Sequence, residues 1–254
     1  MTDIRWLWVF LDTPEDTAED TAAADRSAAF WSGTTGWTVS ARRGEHDEFA
    51  TLLPPEGDAW VKLQRVETGG GVHLDLDVAG ALEAAAGEAR TLGAEPVAAY
   101  GTHVVMRSPG GFTFCLTSWE RAGAPARQVR EGAAEIIDQV SLDIPRDRYA
   151  AEVAFWSALT GWEARQGALP EFHYLQRPPG IPVRLLLQRL GEESGPVRGH
   201  VDLACADRAD SVRRHVERGS RTLAEHELWT VMRDPAGRVY CLTDRSPLTG
   251  GLGH

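Results

Sequence analysis

The stretch AAFWSGTTGW (Ala28–Trp37) returns later in the chain as VAFWSALTGW (Val153–Trp162). Both copies place a Phe-Trp pair one and a half turns before a Thr-Gly-Trp end. Apolar residues ahead of the glycine follow helical spacing, and glycine is a common residue just past a helix end. We therefore predict that each stretch is a helix, that Gly36 and Gly161 end it, and that its Phe-Trp pair packs against a sheet.

Two further blocks repeat in the same order. HLDL (His73–Leu76) returns as HVDL (His200–Leu203), and VVMRSPGGFTFCLT (Val104–Thr117) returns as TVMRDPAGRVYCLT (Thr230–Thr243). The spacing between the copies stays nearly constant over all the blocks. Such regular self-similarity indicates an internal duplication.

The duplication predicts two domains, at residues 1–120 and 135–247. Residues 121–134 are rich in Ala, Gly and charged side chains without strand-like alternation, so we predict that they form a linker. Within each copy, the apolar periodicity and the Pro and Gly turn signals predict a strand, a helix and three strands, and then the same order again. The predicted fold class is α+β, with two βαβββ units in each domain.

Composition narrows the classes of function. The 254 residues are 43% hydrophobic, which is enough for two ordinary domain cores, and three cysteines are too few for a disulfide framework. A net charge of −11 argues against a nucleic-acid partner. Without a long apolar run or a secretory signal, we expect a cytoplasmic protein with no membrane partner. The oligomeric state stays open between a monomer with tandem domains and a homodimer.

The order of elements, the Phe-Trp…Gly-Trp helix end, the His-x-Asp-Leu strand and the terminal DPAG…CL hairpin together resemble the vicinal oxygen chelate superfamily. The resemblance is strongest to two-domain, glyoxalase-like and bleomycin-resistance-like proteins of actinobacterial type, and it covers nearly the whole chain twice. It implies that each domain folds its βαβββ units into an open, curved-sheet cup that binds a small molecule. It does not specify the reaction, because one fold supports many functions.

The resemblance also implies positions for a metal. Enzymes of this superfamily hold one divalent ion inside the cup through side chains on the first, fifth and last strands of a domain. The matching positions are Gln139, His200 and Cys241 in the second copy, and Trp8, His73 and Cys115 in the first. Cysteine replaces the usual carboxylate in both copies, so the donors of the second copy suit a zinc-like ion. Since tryptophan does not bind metals, the first copy is a degenerate counterpart.

Other residues are candidates for contacting the ligand. Asp202 shares a strand face with His200, so it is either a substitute metal ligand or a hydrogen-bond partner of that histidine. Trp8, Trp60 and Trp229 are less tied to the repeat than the helix tryptophans, and we predict that they contact an apolar or aromatic ligand. His226 is an acid or base if its strand lines the cup, and an exposed loop residue otherwise.

Two functions stay open at this point. The first is metal-assisted isomerase or lyase chemistry of the glyoxalase type. The second is metal-free sequestration of a drug-like molecule, which the acidic charge and the tryptophans would make cationic or aromatic. A metal-free enzyme is a third possibility that no residue marks. The sequence assigns no catalytic residue and leaves open whether the protein is an enzyme.

Overall fold

The computed structural model describes residues 2–14, 22–120, 129 and 131–252. Most of the predicted linker, residues 121–128 and 130, lies outside the described residues.

The first copy contains eight strands and two helices within the described residues. They are β1 Ile4–Pro14, α1 Ala23–Thr35, β2 Thr38–Val39, β3 Phe49–Leu53, β4 Val61–Val66, β5 Gly71–Val78, α2 Leu82–Thr91, β6 Glu95–Ala99, β7 His103–Arg107 and β8 Thr113–Ser118. This is the predicted order of strand, helix and three strands, twice over.

The described part of the second copy repeats that order, with one short 3-10 turn (Arg146–Arg148) ahead of its first helix. Its elements are β9 Glu135–Ile144, α3 Tyr149–Thr160, β10 Ala164–Gln166, β11 Phe172–Leu175, β12 Arg184–Arg189, β13 Arg198–Cys205, α4 Arg208–Glu217, β14 Arg221–Glu225, β15 Trp229–Arg233 and β16 Val239–Thr243. The predicted α+β fold of tandem βαβββ units is confirmed.

The helices α1 and α3 end where the repeated stretch predicts. Gly36 and Gly161 have left-handed backbones, with φ of 69° and 68°, a conformation that side chains disfavour and glycine adopts readily. Their N–H groups donate to the carbonyls of Ser32 and Ser157, which closes the last turn of each helix.

Each copy contributes one eight-stranded sheet. The strand orders are β2-β3-β4-β1-β5-β8-β7-β6 and β10-β11-β12-β9-β13-β16-β15-β14. Inside each sheet one parallel pair joins the fifth strand of a copy to its last strand. Its register places Asp75 opposite Cys115 in the first sheet and Asp202 opposite Cys241 in the second. The topology thus brings each His-x-Asp strand next to the strand that carries the predicted cysteine.

By packing, the chain divides into two compact units. Unit 1 comprises Met1–Val9, His73–Ala126 and Val140–Gly199, and unit 2 comprises Phe10–Val72, Arg127–Gln139 and His200–His254. Each unit therefore combines most of one βαβββ half of the first copy with most of one half of the second, and β1 and β9 are divided between the units. This grouping differs from the sequence copies, and the domain bounds of the sequence analysis stay a prediction.

The helix tryptophans lie in the cores of these units. Trp156 in unit 1 and Trp31 in unit 2 are fully buried. Trp156 makes an edge-on contact with Phe114, and Trp31 makes one with Tyr240. The Phe-Trp pairs are structural residues, as the repeated stretch predicts.

Candidate metal centre

Three side chains of the second copy that could hold a metal ion converge in unit 2. The His200 Nε2 atom lies 3.2 Å from an Asp202 carboxylate oxygen and 3.4 Å from the Cys241 sulfur. One donor atom from each residue lies within 4.8 Å of the others. We call these three residues the second-copy cluster.

Strand geometry explains the convergence. His200 and Asp202 are two residues apart on β13, so they project from the same face. The intervening Val201 and the following Leu203 are fully buried on the other face, which holds the strand in this orientation. Because β16 runs parallel to β13 with Cys241 opposite Asp202, the thiol joins the same face.

Gln139 reaches the cluster from the neighbouring strand β9. Its amide nitrogen donates a hydrogen bond to the Asp202 oxygen that does not face His200, and both side chains are buried. One Asp202 oxygen is therefore held by an amide while the other faces the imidazole. The structure thus brings together all three residues of the predicted metal set, with Asp202 as a fourth member.

The cluster has the arrangement of a ligand set rather than of a catalytic relay. In a relay, a histidine contacts the carboxylate through one ring nitrogen and the nucleophile through the other. Here the Asp202 carboxylate and the Cys241 thiol both lie next to the Nε2 atom of His200. Donors that converge on one point can share one ion, and a nitrogen, oxygen and sulfur set suits zinc and similar divalent metals.

Burial adds to this argument. The relative exposures of His200, Asp202 and Cys241 are 9%, 3% and 5%. A carboxylate removed from water is costly unless it is paired or coordinates a metal, and Asp202 accepts from Gln139 and faces His200. A divalent ion at this position would complete the charge balance of the cluster.

The first copy contains a similar cluster in unit 1. His73, Asp75 and Cys115 also offer donor atoms within 4.8 Å of one another, and His73 Nε2 lies 3.7 Å from an Asp75 oxygen. We call these residues the first-copy cluster. Asp75 was not among the predicted site residues, although the repetition of HLDL as HVDL makes it the counterpart of Asp202.

Trp8 donates to an aspartate next to the first-copy cluster. The indole nitrogen of Trp8 donates to Asp77 at 2.9 Å, and the Thr117 hydroxyl donates to the other Asp77 oxygen at 2.5 Å. Asp77 has no equivalent carboxylate in the second copy, where Ala204 occupies the matching place. The first strands of the two copies therefore support their clusters differently.

The remaining predicted ligand contacts lie in different surroundings. Trp60 is fully buried and donates its indole N–H to the Ile137 carbonyl at 2.9 Å, and its contact with a ligand stays a prediction. Trp229 is half-buried at the start of β15 and stacks on His226. His226 is exposed in the turn between β14 and β15, which is the loop alternative.

All three cysteines are buried and none is in a disulfide, and two of them belong to the clusters. The third, Cys205, lies at the end of β13. Burial raises the pKa of its thiol to about 12, so this residue stays protonated and unreactive. It provides a matched control for experiments on the cluster thiols.

The sequence matches a family model described as a glyoxalase-like domain twice, over residues 16–117 and 139–243. The chain belongs to the glyoxalase-like family. The resemblance to the vicinal oxygen chelate superfamily is thereby confirmed. No curated protein sequence matches this glyoxalase-like chain.

Solved structures share the fold over nearly the whole chain. The Mn(II)-bound glyoxalase from Novosphingobium aromaticivorans is 17% identical, with a TM-score of 0.66 over 99% of this chain and 85% of that one. The 2,3-dioxygenase LapB from Pseudomonas sp. KL28 is 13% identical, with a TM-score of 0.63 over 96% of this chain and 93% of that one. An extradiol ring-cleaving dioxygenase from B. fuscum is 14% identical, with a TM-score of 0.60 over 96% and 73%. Identities this low establish the fold and leave the reaction open.

None of the described helices is long and apolar enough to cross a membrane.

Proposed function

We propose that this protein is a metal-dependent enzyme of the glyoxalase type, an isomerase or lyase that binds a small molecule at a divalent ion. His200, Asp202 and Cys241 would hold the ion. The observation that carries the proposal is the placement of a carboxylate oxygen and a sulfur beside the same imidazole nitrogen, at 3.2 and 3.4 Å.

The donor set favours a zinc-like ion. Thiolate and imidazole select borderline metals, whereas manganese and magnesium prefer sites made of oxygen donors. The relative from Novosphingobium aromaticivorans is bound to Mn(II), but in this chain a cysteine sulfur occupies the last-strand position. We therefore expect zinc to bind more tightly than manganese.

When bound, such an ion supplies a Lewis acid that polarises a substrate oxygen. The residues of the chain provide its support. Gln139 fixes the orientation of the Asp202 carboxylate through its amide hydrogen bond, and such support of a ligand raises metal affinity. With Asp202 assigned to the metal, the group that moves a proton in the reaction stays unassigned.

The proposal is tested by zinc binding to the full chain. Protein stripped with a chelator would be titrated with zinc against a fluorescent competitor, and bound metal would be counted by mass spectrometry. His200→Ala should weaken the tightest zinc site by more than about 100-fold, because it removes a direct ligand. The matched variant His73→Ala should leave that site unchanged. Wild-type zinc affinity in His200→Ala would contradict the proposal.

A second candidate function is metal-free binding of a cationic, drug-like molecule, and the first copy favours it. Asp75 and Asp77 are both buried on one face of β5, and Asp77 holds the indole of Trp8. Carboxylates beside an aromatic ring are suited to a cation. Saturable fluorescence quenching by a cationic aromatic dye, equal with and without zinc and lost in Asp77→Asn, would support this function.

A further inference from the structure

The strand register places Trp229 on the same sheet face as the second-copy cluster. β15 pairs antiparallel with β16, with Val231 opposite Cys241 and Trp229 opposite Thr243. Residues that lie directly opposite each other share a face, as do alternate residues along a strand. Trp229 is therefore a diagonal neighbour of Cys241, about 7–8 Å away between backbones, which an aromatic side chain spans.

Towards β15, this face is more exposed than the opposite one. Trp229, Val231 and Val239 on the cluster face are half-buried. Met232 and Tyr240, which project to the opposite face, are fully buried in the core of unit 2. A ligand at the cluster would therefore meet the side chains of Trp229 and Val231.

The indole of Trp229 is held in place before any ligand arrives. It stacks on the ring of His226 with centroids 4.4 Å apart and an interplanar angle of 16°. The turn that carries His226 is fixed by Arg208, whose guanidinium donates to the carbonyls of His226 and Glu227 at 2.9 and 2.8 Å. A pre-ordered aromatic ring binds a flat ligand at a small entropic cost.

The first copy lacks this indole. At the matching place β7 begins with His103, which lies opposite Thr117 and stacks on Tyr100. The Trp229 indole thus occurs in the copy in which Gln139 donates a hydrogen bond to Asp202 of the cluster. The indole and the supported cluster occur in the same copy, which favours a role for Trp229 in binding the ligand of that cluster.

We infer that Trp229 is a specificity-determining residue, which binds the flat, aromatic body of a ligand held at the metal. The inference rests on the proposed function. It narrows the substrate class to compounds that carry an aromatic ring next to their metal-binding group.

Two hydroxamates that share one metal-binding group test this inference on the zinc-loaded full chain. Benzohydroxamate carries an aromatic body, and acetohydroxamate carries a methyl group. In Trp229→Ala, the dissociation constant of benzohydroxamate should rise about tenfold, and that of acetohydroxamate should change less than about twofold. Trp229→Phe should keep benzohydroxamate affinity within about threefold of wild type, and the matched variant His103→Ala should leave both constants unchanged.

The outcomes separate the inference from the function on which it rests. Unchanged benzohydroxamate binding in Trp229→Ala, or an equal loss for both probes, would overturn the role of Trp229 while leaving the metal site intact. Failure of both probes to bind zinc-loaded wild-type protein would overturn the proposed open metal site, and the inference with it.

Discussion

The two clusters share their ligands and differ in their support. Each copy places a His-x-Asp pair on its fifth strand beside a cysteine on its last strand. In the second copy, Gln139 from the first strand donates to Asp202. In the first copy, Trp8 occupies the matching position and donates to Asp77, two residues beyond the aspartate of the cluster.

The difference shows that the two copies share the donor atoms and differ in the first-strand side chain beside them. The distance between imidazole nitrogen and carboxylate oxygen is 3.2 Å in the second copy and 3.7 Å in the first. Hydrogen bonds that orient a metal ligand change affinity by about 10–100-fold. We therefore expect the second-copy cluster to be the tighter metal site.

The two units also differ in the anchor of the helix tryptophan, by which we mean the buried carboxylate that accepts its indole N–H and the groups that pair with that carboxylate. In unit 2, the Trp31 indole donates to Asp234 at 3.0 Å, and the buried Arg238 guanidinium donates to the same carboxylate oxygen at 2.8 Å. In unit 1, the Trp156 indole donates to Glu152 at 2.8 Å, and the backbone N–H of Gly110 donates to the other oxygen. One anchor contains a buried ion pair, and the other is a carboxylate held by neutral donors.

The largest expected effect is on the ion-paired anchor. Arg238→Met should lower the free energy of unfolding by about 3–5 kcal/mol, because it leaves the buried Asp234 charge without its partner. Phe112 occupies the place of Arg238 in the first copy, and Phe112→Leu should cost only about 1 kcal/mol. Urea unfolding followed by circular dichroism measures both. Equal losses would mean that the ion pair adds nothing beyond packing.

The next effect concerns the support of the clusters. Gln139→Ala should weaken zinc binding at the tightest site by about 10–100-fold, because Asp202 loses the amide that orients it. Trp8→Phe removes the indole N–H in the first copy and should leave the tightest site within about twofold of wild type. Competition titration with a chromogenic chelator compares the two. An unchanged affinity in Gln139→Ala would remove the distinction between the copies.

Much of this architecture was predictable from the sequence, because its signals are local. Gly36 and Gly161 mark helix ends, and the two His-x-Asp-Leu blocks mark equivalent strands. The partner of each supporting residue was not predictable. Gln139 and Asp202 are 63 residues apart, and Trp31 and Asp234 are 203 apart, so tertiary packing alone selects them.

Arg238 is a second residue whose surroundings the sequence does not predict. Its place in a turn-rich hairpin is typical of an exposed charge, yet it is buried in unit 2. Its guanidinium is satisfied by Asp234 and by groups from distant segments, including the Asp12 carbonyl and the Thr13 hydroxyl. No periodicity or spacing in the sequence indicates that these segments meet.

The smallest effect is a contrast in pH dependence. Burial raises the pKa of Glu152 in unit 1 above its ordinary value. Because the folded state favours the protonated form, the contribution of Glu152 to stability is full below about pH 4.3 and is lost as pH rises through the raised pKa. Glu152→Gln should remove this loss, so melting temperatures of variant and wild type should diverge in favour of the variant as pH increases.

Glu135 in unit 2 should show the opposite sign. Burial raises the pKa of this carboxyl, but the hydrogen bond and charge of His215, with the charge of Arg214, outweigh burial and lower it. Its stabilising contribution is therefore present above about pH 4.3 and is lost as pH falls through the lowered pKa. Glu135→Gln should cost stability at neutral pH and little in acid. Melting curves with the same pH slope for both variants would contradict these assignments.

Cobalt binding tests the central claim most directly, because thiolate coordination to Co(II) produces a charge-transfer absorption that other donors do not. The account predicts that one equivalent of Co(II) gives this band in wild-type protein, that Cys115→Ser and Cys205→Ser retain it, and that adding Cys241→Ser to Cys115→Ser abolishes it. A band that persists in the double variant Cys115→Ser/Cys241→Ser, or that is absent from wild-type protein or from Cys115→Ser, would contradict a metal centre at His200, Asp202 and Cys241.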